Sequence, residues 1–471
     1  MTQRRGFLAC GLAAAIFASS RAAAQSASDV AGDWTGVLEA GSARLRLRLL
    51  IGADGAVALY SLDQGADPIA GEALAVTGDQ ISMRFPAIRA RFVARLEADA
   101  LVGTFTQGGA LPLTLLRGNA GLAPASAPVT ALDQAGLGVL HAQSRAPAMG
   151  AAARQRIGRA LDLVSGVRRI GSDTPATVDD LWHWGSITKS MTAALAAKLI
   201  EQGLLDWDTP MSLLLGSTAV GGHQTYRSLT LRHLFSHRSG LPGNLPLPDL
   251  LRFPRHEADP RESRIAYAQA CLAAEPVGPA ETTFEYSNSG YVVAGAILER
   301  LTGQSWETLI RRELFEPLGM ASAGFGAPGT RARLDQPEGH APGLLQLRAY
   351  GPGAGMNDNP AVLGPAGRVH ASMADLLRFA AAHRDRSAFL RPESWAMLHT
   401  PPFGGDYAMG LGVRPDGALW HNGSNTLWYG EMLIDPARGV VAAACANSGD
   451  VATAQHAVGA ALVGAASALT G

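Results

Sequence analysis

The sequence predicts an α+β domain preceded by a small antiparallel β-barrel domain. Three observations carry this. Apolar runs of strand length lie near both ends of the longer part, at 148–153 and 160–167 and again at 430–434 and 439–444. Amphipathic helical patterns lie between them, notably at 293–302 and 373–383. Ahead of these, Ala43-Arg44-Leu45-Arg46-Leu47-Arg48-Leu49 alternates strictly, as a half-buried strand does.

In chain order, residues 1–24 read as a twin-arginine-like export signal. Gln3-Arg4-Arg5-Gly6-Phe7-Leu8 leads into an apolar core from Phe7 to Ala18, then Arg21 and a small-residue site at Ala22-Ala23-Ala24. The expected location is periplasmic or secreted. Residues 28–118 form the small β domain. Short β-prone runs near 43–49, 57–62, 80–85, 90–96 and 101–105 alternate with turn residues. Residues 119–134 read as an Ala/Pro/Ser/Gly linker, its end blurred by a helical pattern at 132–144. The α+β domain fills 135–465, with 148–153 and 160–167 as a hairpin and 430–434 and 439–444 joined at Asp435-Pro436-Ala437-Arg438.

Composition narrows the function classes. The formal net charge is −1, and loss of residues 1–24 removes three arginines and no acid, giving −4. No polyanion-binding surface and no nucleic-acid partner are expected. No apolar run reaches the length of a membrane span, so no stable span is expected. Cys10 falls in the signal. Cys271 and Cys445 are too few for a disulfide framework and are expected to be small buried hydrophobes. His233 and His237 are four apart, as on a zinc helix, but the glutamate of His-Glu-x-x-His is missing. No metal and no cofactor are expected. The Gly-x-Ser-x-Gly elbow of α/β-hydrolases is missing too.

One tetrad carries chemistry. Of 39 basic residues only Lys189 and Lys198 are lysine. Arginine cannot shed its proton in a protein, whereas a desolvated lysine can. Lys189 stands three residues after Ser186, at the start of an alanine- and leucine-rich helical run that ends at Gly203. Residues i and i+3 share a helix face, so the amine can reach the hydroxyl and activate it as a nucleophile. The helix N-terminus offers N–H groups to an oxyanion. Alone, the tetrad reads equally as an N-cap serine and a solvated lysine. Lys198 reads as a surface residue.

Two further motifs stand downstream. Tyr286-Ser287-Asn288 places a hydroxyl suited to proton relay two residues before an amide that can hold a substrate amide or ester. His421-Asn422-Gly423-Ser424 precedes a strand. Gly423 there permits close backbone approach, and the Ser424 N–H can face a carbonyl oxygen.

Taken in this order, the three motifs resemble the serine hydrolases of the class C β-lactamase and penicillin-binding protein superfamily. Those proteins carry Ser-x-x-Lys, Tyr-x-Asn and then Lys-Thr-Gly or His-x-Gly. Leu234-Phe235-Ser236-His237-Arg238-Ser239-Gly240-Leu241-Pro242, Leu314-Phe315-Glu316-Pro317-Leu318-Gly319-Met320 and Gly364-Pro365-Ala366-Gly367-Arg368-Val369-His370 add to the likeness. The resemblance implies a helical region on an antiparallel sheet with the site between them. Ser186 would attack a carbonyl, and Lys189 and Tyr286 would share the proton transfers, which of them is the base being open. The N–H groups of Ser186 and Ser424 would receive the oxyanion, and Asn288 would orient the substrate. His421 replaces the lysine of β-lactamases, which favours an esterase or D-amino-acid peptidase acting on a small ester, amide or peptide. A penicillin-binding-like protein that turns over slowly or not at all is the alternative. Asp33-Trp34-Thr35-Gly36 and Gly103-Thr104-Phe105-Thr106-Gln107-Gly108 resemble the small lipocalin-like modules that accompany some secreted hydrolases.

Overall fold

A computed structural model describes residues 27–40, 43–61, 68–72, 74–77, 80–88, 90–107, 110–118, 131–216, 222–343 and 346–470. The predicted export signal and most of the predicted linker lie outside the described residues. The chain divides into two compact units, 1–125 and 126–471.

The first unit is one antiparallel sheet of β1 (Gly32–Ala40), β2 (Ala43–Ile51), β3 (Val57–Ser61), β4 (Ile69–Ala70), β5 (Ala75–Thr77), β6 (Gln80–Phe85), β7 (Ala90–Glu97), β8 (Ala100–Thr106) and β9 (Ala110–Arg117). Its order is β4-β3-β2-β1-β9-β8-β7-β6-β5. The predicted barrel takes the form of a curled sheet with a seam. β4 and β5 are two and three residues long, and the Glu72 N–H donates to the Arg84 carbonyl between the two sides at 2.8 Å. The alternation read in β2 is the physical pattern: Leu47 and Leu49 are buried with Trp34, Phe85, Phe92 and Leu115. Arg48, on the other face, forks onto the Asp33 carboxylate at 2.7–3.0 Å.

The second unit is built on the sheet β11-β10-β20-β19-β18-β17. Its hairpin is β10 (Ala148–Gln155) and β11 (Ala160–Gly166), with small strands β12 (Leu181–His183), β13 (Gly324–Phe325), β14 (Gly339–Pro342), β15 (Leu347–Tyr350) and β16 (Val369–Ser372) along the way. The sheet is completed by β17 (Gly412–Val413), β18 (Leu419–Ser424), β19 (Tyr429–Asp435) and β20 (Val440–Ala446). β20 is buried at every position because it lies inside the sheet with both faces covered. Helices Gln134–Ser144 and Val451–Thr470 cover one face through Leu137, Val458 and Leu462. The larger helical region covers the other face, with helix Met373–Asp385 against β10, β19 and β20.

Three readings change. Helix Asn288–Thr302 begins five residues before its predicted start, because Ser287 caps it, its hydroxyl accepting from the Gly290 N–H at 3.0 Å. Val451–Thr470 is the one described helix long and apolar enough to cross a membrane. Gln455 and His456 interrupt the apolar run, which hid its length in the sequence, and its apolar side packs on the sheet as core. Lys198 is half-buried, its ammonium donating to the Phe389 carbonyl at 3.0 Å, so it is not a free surface charge.

Candidate active site

The site forms where the helical region meets the β18 edge. Gly185–Ile187 is a tight 3-10 turn that runs into helix Thr188–Glu201. Every residue of that helix from Thr188 to Ala197 is buried. Its alanines let neighbouring elements approach the axis, which carries Lys189 into the interior with no exposed surface.

Two glycines let two backbones touch beside Ser186. Gly185 sits at φ +49°, and a Cβ there would stand 2.4 Å from the Ser424 nitrogen. A Cβ on Gly423 would stand 2.0 Å from the Trp184 carbonyl oxygen and 2.6 Å from the Ser186 nitrogen. The close approach read from His421-Asn422-Gly423 is thus between the β18 end and the serine turn.

Lys189 Nζ has three oxygen neighbours. They are Ser186 Oγ at 3.0 Å, Asn288 Oδ1 at 2.7 Å and the Ala366 carbonyl at 2.7 Å. Burial drives the amine well below the usual lysine range. A neutral amine has two N–H bonds and one lone pair. Asn288 Oδ1 and Ala366 O can only accept, so they take both N–H bonds, and the lone pair is left for the Ser186 hydroxyl.

Tyr286 completes the group. The residue as a whole is 38% exposed, and its hydroxyl hydrogen-bonds with Ser186. Its ring centre is 4.9 Å from Lys189 Nζ. Burial pushes its pKa up, with the Ser186 contact offsetting part of the rise, so the group is a phenol near neutral pH.

Two predicted substrate-binding residues are engaged by other side chains. Asn288 lines the cleft, but its carbonyl is committed to Lys189 and its amide donates to Asn244 Oδ1 at 2.9 Å. His421 is 3% exposed and does not line the cleft. Its Nδ1–H donates to the Asn422 carbonyl and its Nε2 accepts from the Tyr407 hydroxyl at 2.8 Å. Both nitrogens are engaged, so the expected substrate-facing donor is instead an inward ring. Burial first, and Lys189 second, hold it down at about 3.

Sequence reasoning missed the place of His237 and Tyr407 beside this group. His237 is buried at φ +60° and accepts the Ser287 N–H at 2.9 Å through Nδ1. Its ring lies 4.3 Å from Tyr286 and 4.8 Å from Tyr407, centre to centre. Burial, then Lys189 and His421, keep it neutral. Its partner in the zinc-like pair, His233, turns back onto Thr230 at its own helix start.

Ser186 opens on a cleft of about 380 Å³. Its lining combines the apolar Leu245, Leu247, Leu250 and Leu363 with the polar Asn244, Asn359, Asn425 and Thr426. Among the described residues, no charged side chain lines it.

Residues 129–465 match the family model described as Beta-lactamase. The chain is 31% identical over 312 residues to Penicillin-binding protein 4 of Amycolatopsis lactamdurans, covering 61% of this chain and 77% of that protein. It is 26% identical to a lovastatin esterase of Penicillium rubens over 40% of this chain and 51% of that protein. The structure of a D-amino acid amidase from Ochrobactrum anthropi, complexed with L-phenylalanine amide, superposes with a TM-score of 0.56. That likeness is at 20% identity and covers 70% of this chain and 96% of that one.

Proposed function

We propose that this chain, which belongs to the β-lactamase family of serine hydrolases, cleaves uncharged esters and small amides through an acyl-enzyme on Ser186. The observation that carries the reading is the fully buried Lys189 Nζ, held by the Asn288 and Ala366 carbonyl oxygens at 2.7 Å each and 3.0 Å from Ser186 Oγ, where burial favours the neutral amine. Lys189 is the base, because Tyr286 is held as a phenol and has a proton to give rather than to take. The Ser186 proton passes to Lys189 as Oγ bonds the carbonyl carbon. The N–H groups of Ser186 and Ser424 receive the oxyanion. Tyr286 passes a proton to the leaving alcohol or amine, and water then releases the acid by the same steps in reverse.

The cleft supports an uncharged substrate. A carboxylate needs a fixed cation, and among the described residues none lines this pocket. The leucines of the lining suit a short apolar group, and its asparagines supply neutral polar contacts to the rest of the substrate. The esterase and the amidase among its relatives fit this choice. We also propose that residues 1–24 direct export.

The test is turnover of p-nitrophenyl esters of increasing chain length, D-phenylalanine amide and a chromogenic cephalosporin. Esters should lead and the cephalosporin trail. A cephalosporin turned over faster than every ester would overturn the substrate class. The likeness to a penicillin-binding protein favours one second reading, acylation without turnover, which a stoichiometric burst followed by no steady state would establish.

A further inference from the structure

Behind the cleft lies a buried carboxylate that the chemistry above does not use. Asp358 has a side chain with no exposed surface. Its Oδ1 accepts from the Asn425 amide at 2.9 Å and from the Asn359 N–H at 2.7 Å. The same oxygen stands 3.1 Å from His183 Nε2. Its Oδ2 accepts from Arg368 Nε at 3.0 Å. Four groups from three other chain segments and its own neighbour thus converge on one carboxylate.

Each arm leads to the backbone around Ser186. His183 Nδ1 accepts the Gly185 N–H at 3.1 Å, which leaves the ring hydrogen to Nε2, and that nitrogen meets Asp358 as a close polar contact at 3.1 Å rather than as an aligned hydrogen bond. That arm holds the residue immediately before Ser186. Asn425 follows Ser424, and its own carbonyl accepts the N–H groups of Leu427 and Trp428 at 3.1 Å each. That arm holds the turn that carries the Ser424 N–H. Arg368 follows Gly367, a residue of the cleft wall, and its guanidinium also reaches the Arg255 carbonyl at 3.0 Å. His183 is packed face to face with Trp428, 5.6 Å between ring centres, so the first two arms also touch each other.

The position is costly without a purpose of this kind. A buried carboxylate is disfavoured unless charge and hydrogen bonds offset its desolvation. Burial raises the Asp358 pKa, but His183, Arg368 and Asn425 more than offset it, and the group stays ionised. A rigid, ionised hub is suited to setting the spacing of two backbone donors on different segments.

We infer that Asp358 is the positioning residue of the oxyanion site: through His183 and Asn425 it holds the Gly185–Ser186 turn and the Ser424–Asn425 turn in one register. It touches no substrate. This inference rests on the proposed role of the Ser186 and Ser424 N–H groups.

The test compares wild type with Asp358→Asn, Asp358→Glu and Ser186→Ala, each checked for folding by circular dichroism. For Asp358→Asn, kcat on a p-nitrophenyl ester should fall about a hundredfold, the scale of losing one oxyanion donor, with KM within about threefold. Affinity for a boronic acid, whose tetrahedral adduct presents an oxygen to the same donors, should fall in proportion to kcat/KM. Asp358→Glu, which keeps the charge, should recover part of the loss. A folded Asp358→Asn variant with wild-type kcat, or one whose loss is confined to KM, or one with undiminished boronate affinity, overturns the inference. If Asp358→Asn does not fold, His183→Gln reaches Asp358 but offers Gly185 no acceptor. It must lose at least about tenfold in kcat, and wild-type kcat there also overturns the inference. An active Ser186→Ala variant would defeat the proposed function itself. An inactive Ser186→Ala beside a fully active Asp358→Asn defeats the positioning role alone.

Discussion

Replacing Gly423 with alanine adds one methyl group where the structure leaves no room. The new Cβ would stand 2.0 Å from the Trp184 carbonyl oxygen and 2.6 Å from the Ser186 nitrogen. Real contacts of this kind do not fall below 3.0 Å, so β18 and the serine turn must part by about 1 Å at the first of them. Both opposing atoms are backbone, and neither can swing aside as a side chain would. The displacement falls on the Ser186 and Ser424 N–H groups, which must meet one oxygen. A misplacement of about 1 Å costs on the order of a hundredfold in rate. Overpacking costs about 1–3 kcal/mol of stability, which a domain of this size tolerates. The expected result is therefore a folded protein, slightly lower in Tm, with kcat on a p-nitrophenyl ester down about a hundredfold and KM little changed. Steady-state kinetics beside a thermal melt read both quantities. A Gly423→Ala protein with kcat within about threefold of wild type would show that the closeness of the two backbones is not what sets the rate.

Four further outcomes follow from the same geometry. Ser186→Ala should abolish turnover at a stability cost of about 1 kcal/mol or less, since its hydroxyl caps no helix; a melt and an ester assay check both. Lys189→Arg sets a permanent cation where the wild type holds a titratable amine, removes the lone pair and should cost about a hundredfold or more in kcat/KM. In the wild type the amine must be neutral, so kcat/KM should rise with pH through the Lys189 pKa and be lost as pH falls below it. Burial places that pKa well below the ordinary lysine value of 10.5, so a pH profile still climbing at that value would refute Lys189 as the base. His421 titrates at about 3 and should leave no limb near neutrality. His421→Lys would set a second amine in the buried space beside Lys189. It should lower ester kcat/KM about tenfold or more with no gain on a cephalosporin, whereas a higher cephalosporin-to-ester ratio would place residue 421 on the cleft.

Local chemistry was legible in the sequence where short-range spacing decides it. The Ser186–Lys189 contact is an i,i+3 relation across the start of one helix, and the alanine run predicted that helix to within two residues at either end. Gly423 was legible because a glycine between polar residues at a strand edge has few other uses. The β2 alternation predicted its own buried face at Leu47 and Leu49. Helix Asn288–Thr302 was legible only from its middle, since Tyr286-Ser287-Asn288-Ser289-Gly290 is as good a turn as it is a capped helix start.

What the sequence withheld was set by contacts between distant segments. His421 and Tyr407 are 14 residues apart and meet through a hydrogen bond; Lys189 and Asn288 are 99 apart. His421 falls on the inward side of β18, and neither its type nor its spacing from Tyr286 reveals that orientation. Protonation is withheld for the same reason. Lys189, His237 and His421 are three basic groups in one buried volume, each driven down by burial, and Lys189 adds to the shift of both histidines. A sequence displays three bases at separations of tens to hundreds of residues; only the fold makes them compete for the same scarce solvation. The scarcity of lysine did point to Lys189, because a removable proton is a property of residue type. That burial drives the pKa of that amine well down is a property of where helix Thr188–Glu201 is packed. A serine with an amine three residues away becomes a nucleophile only when the interior has stripped that amine and two fixed acceptors have turned its lone pair toward the hydroxyl.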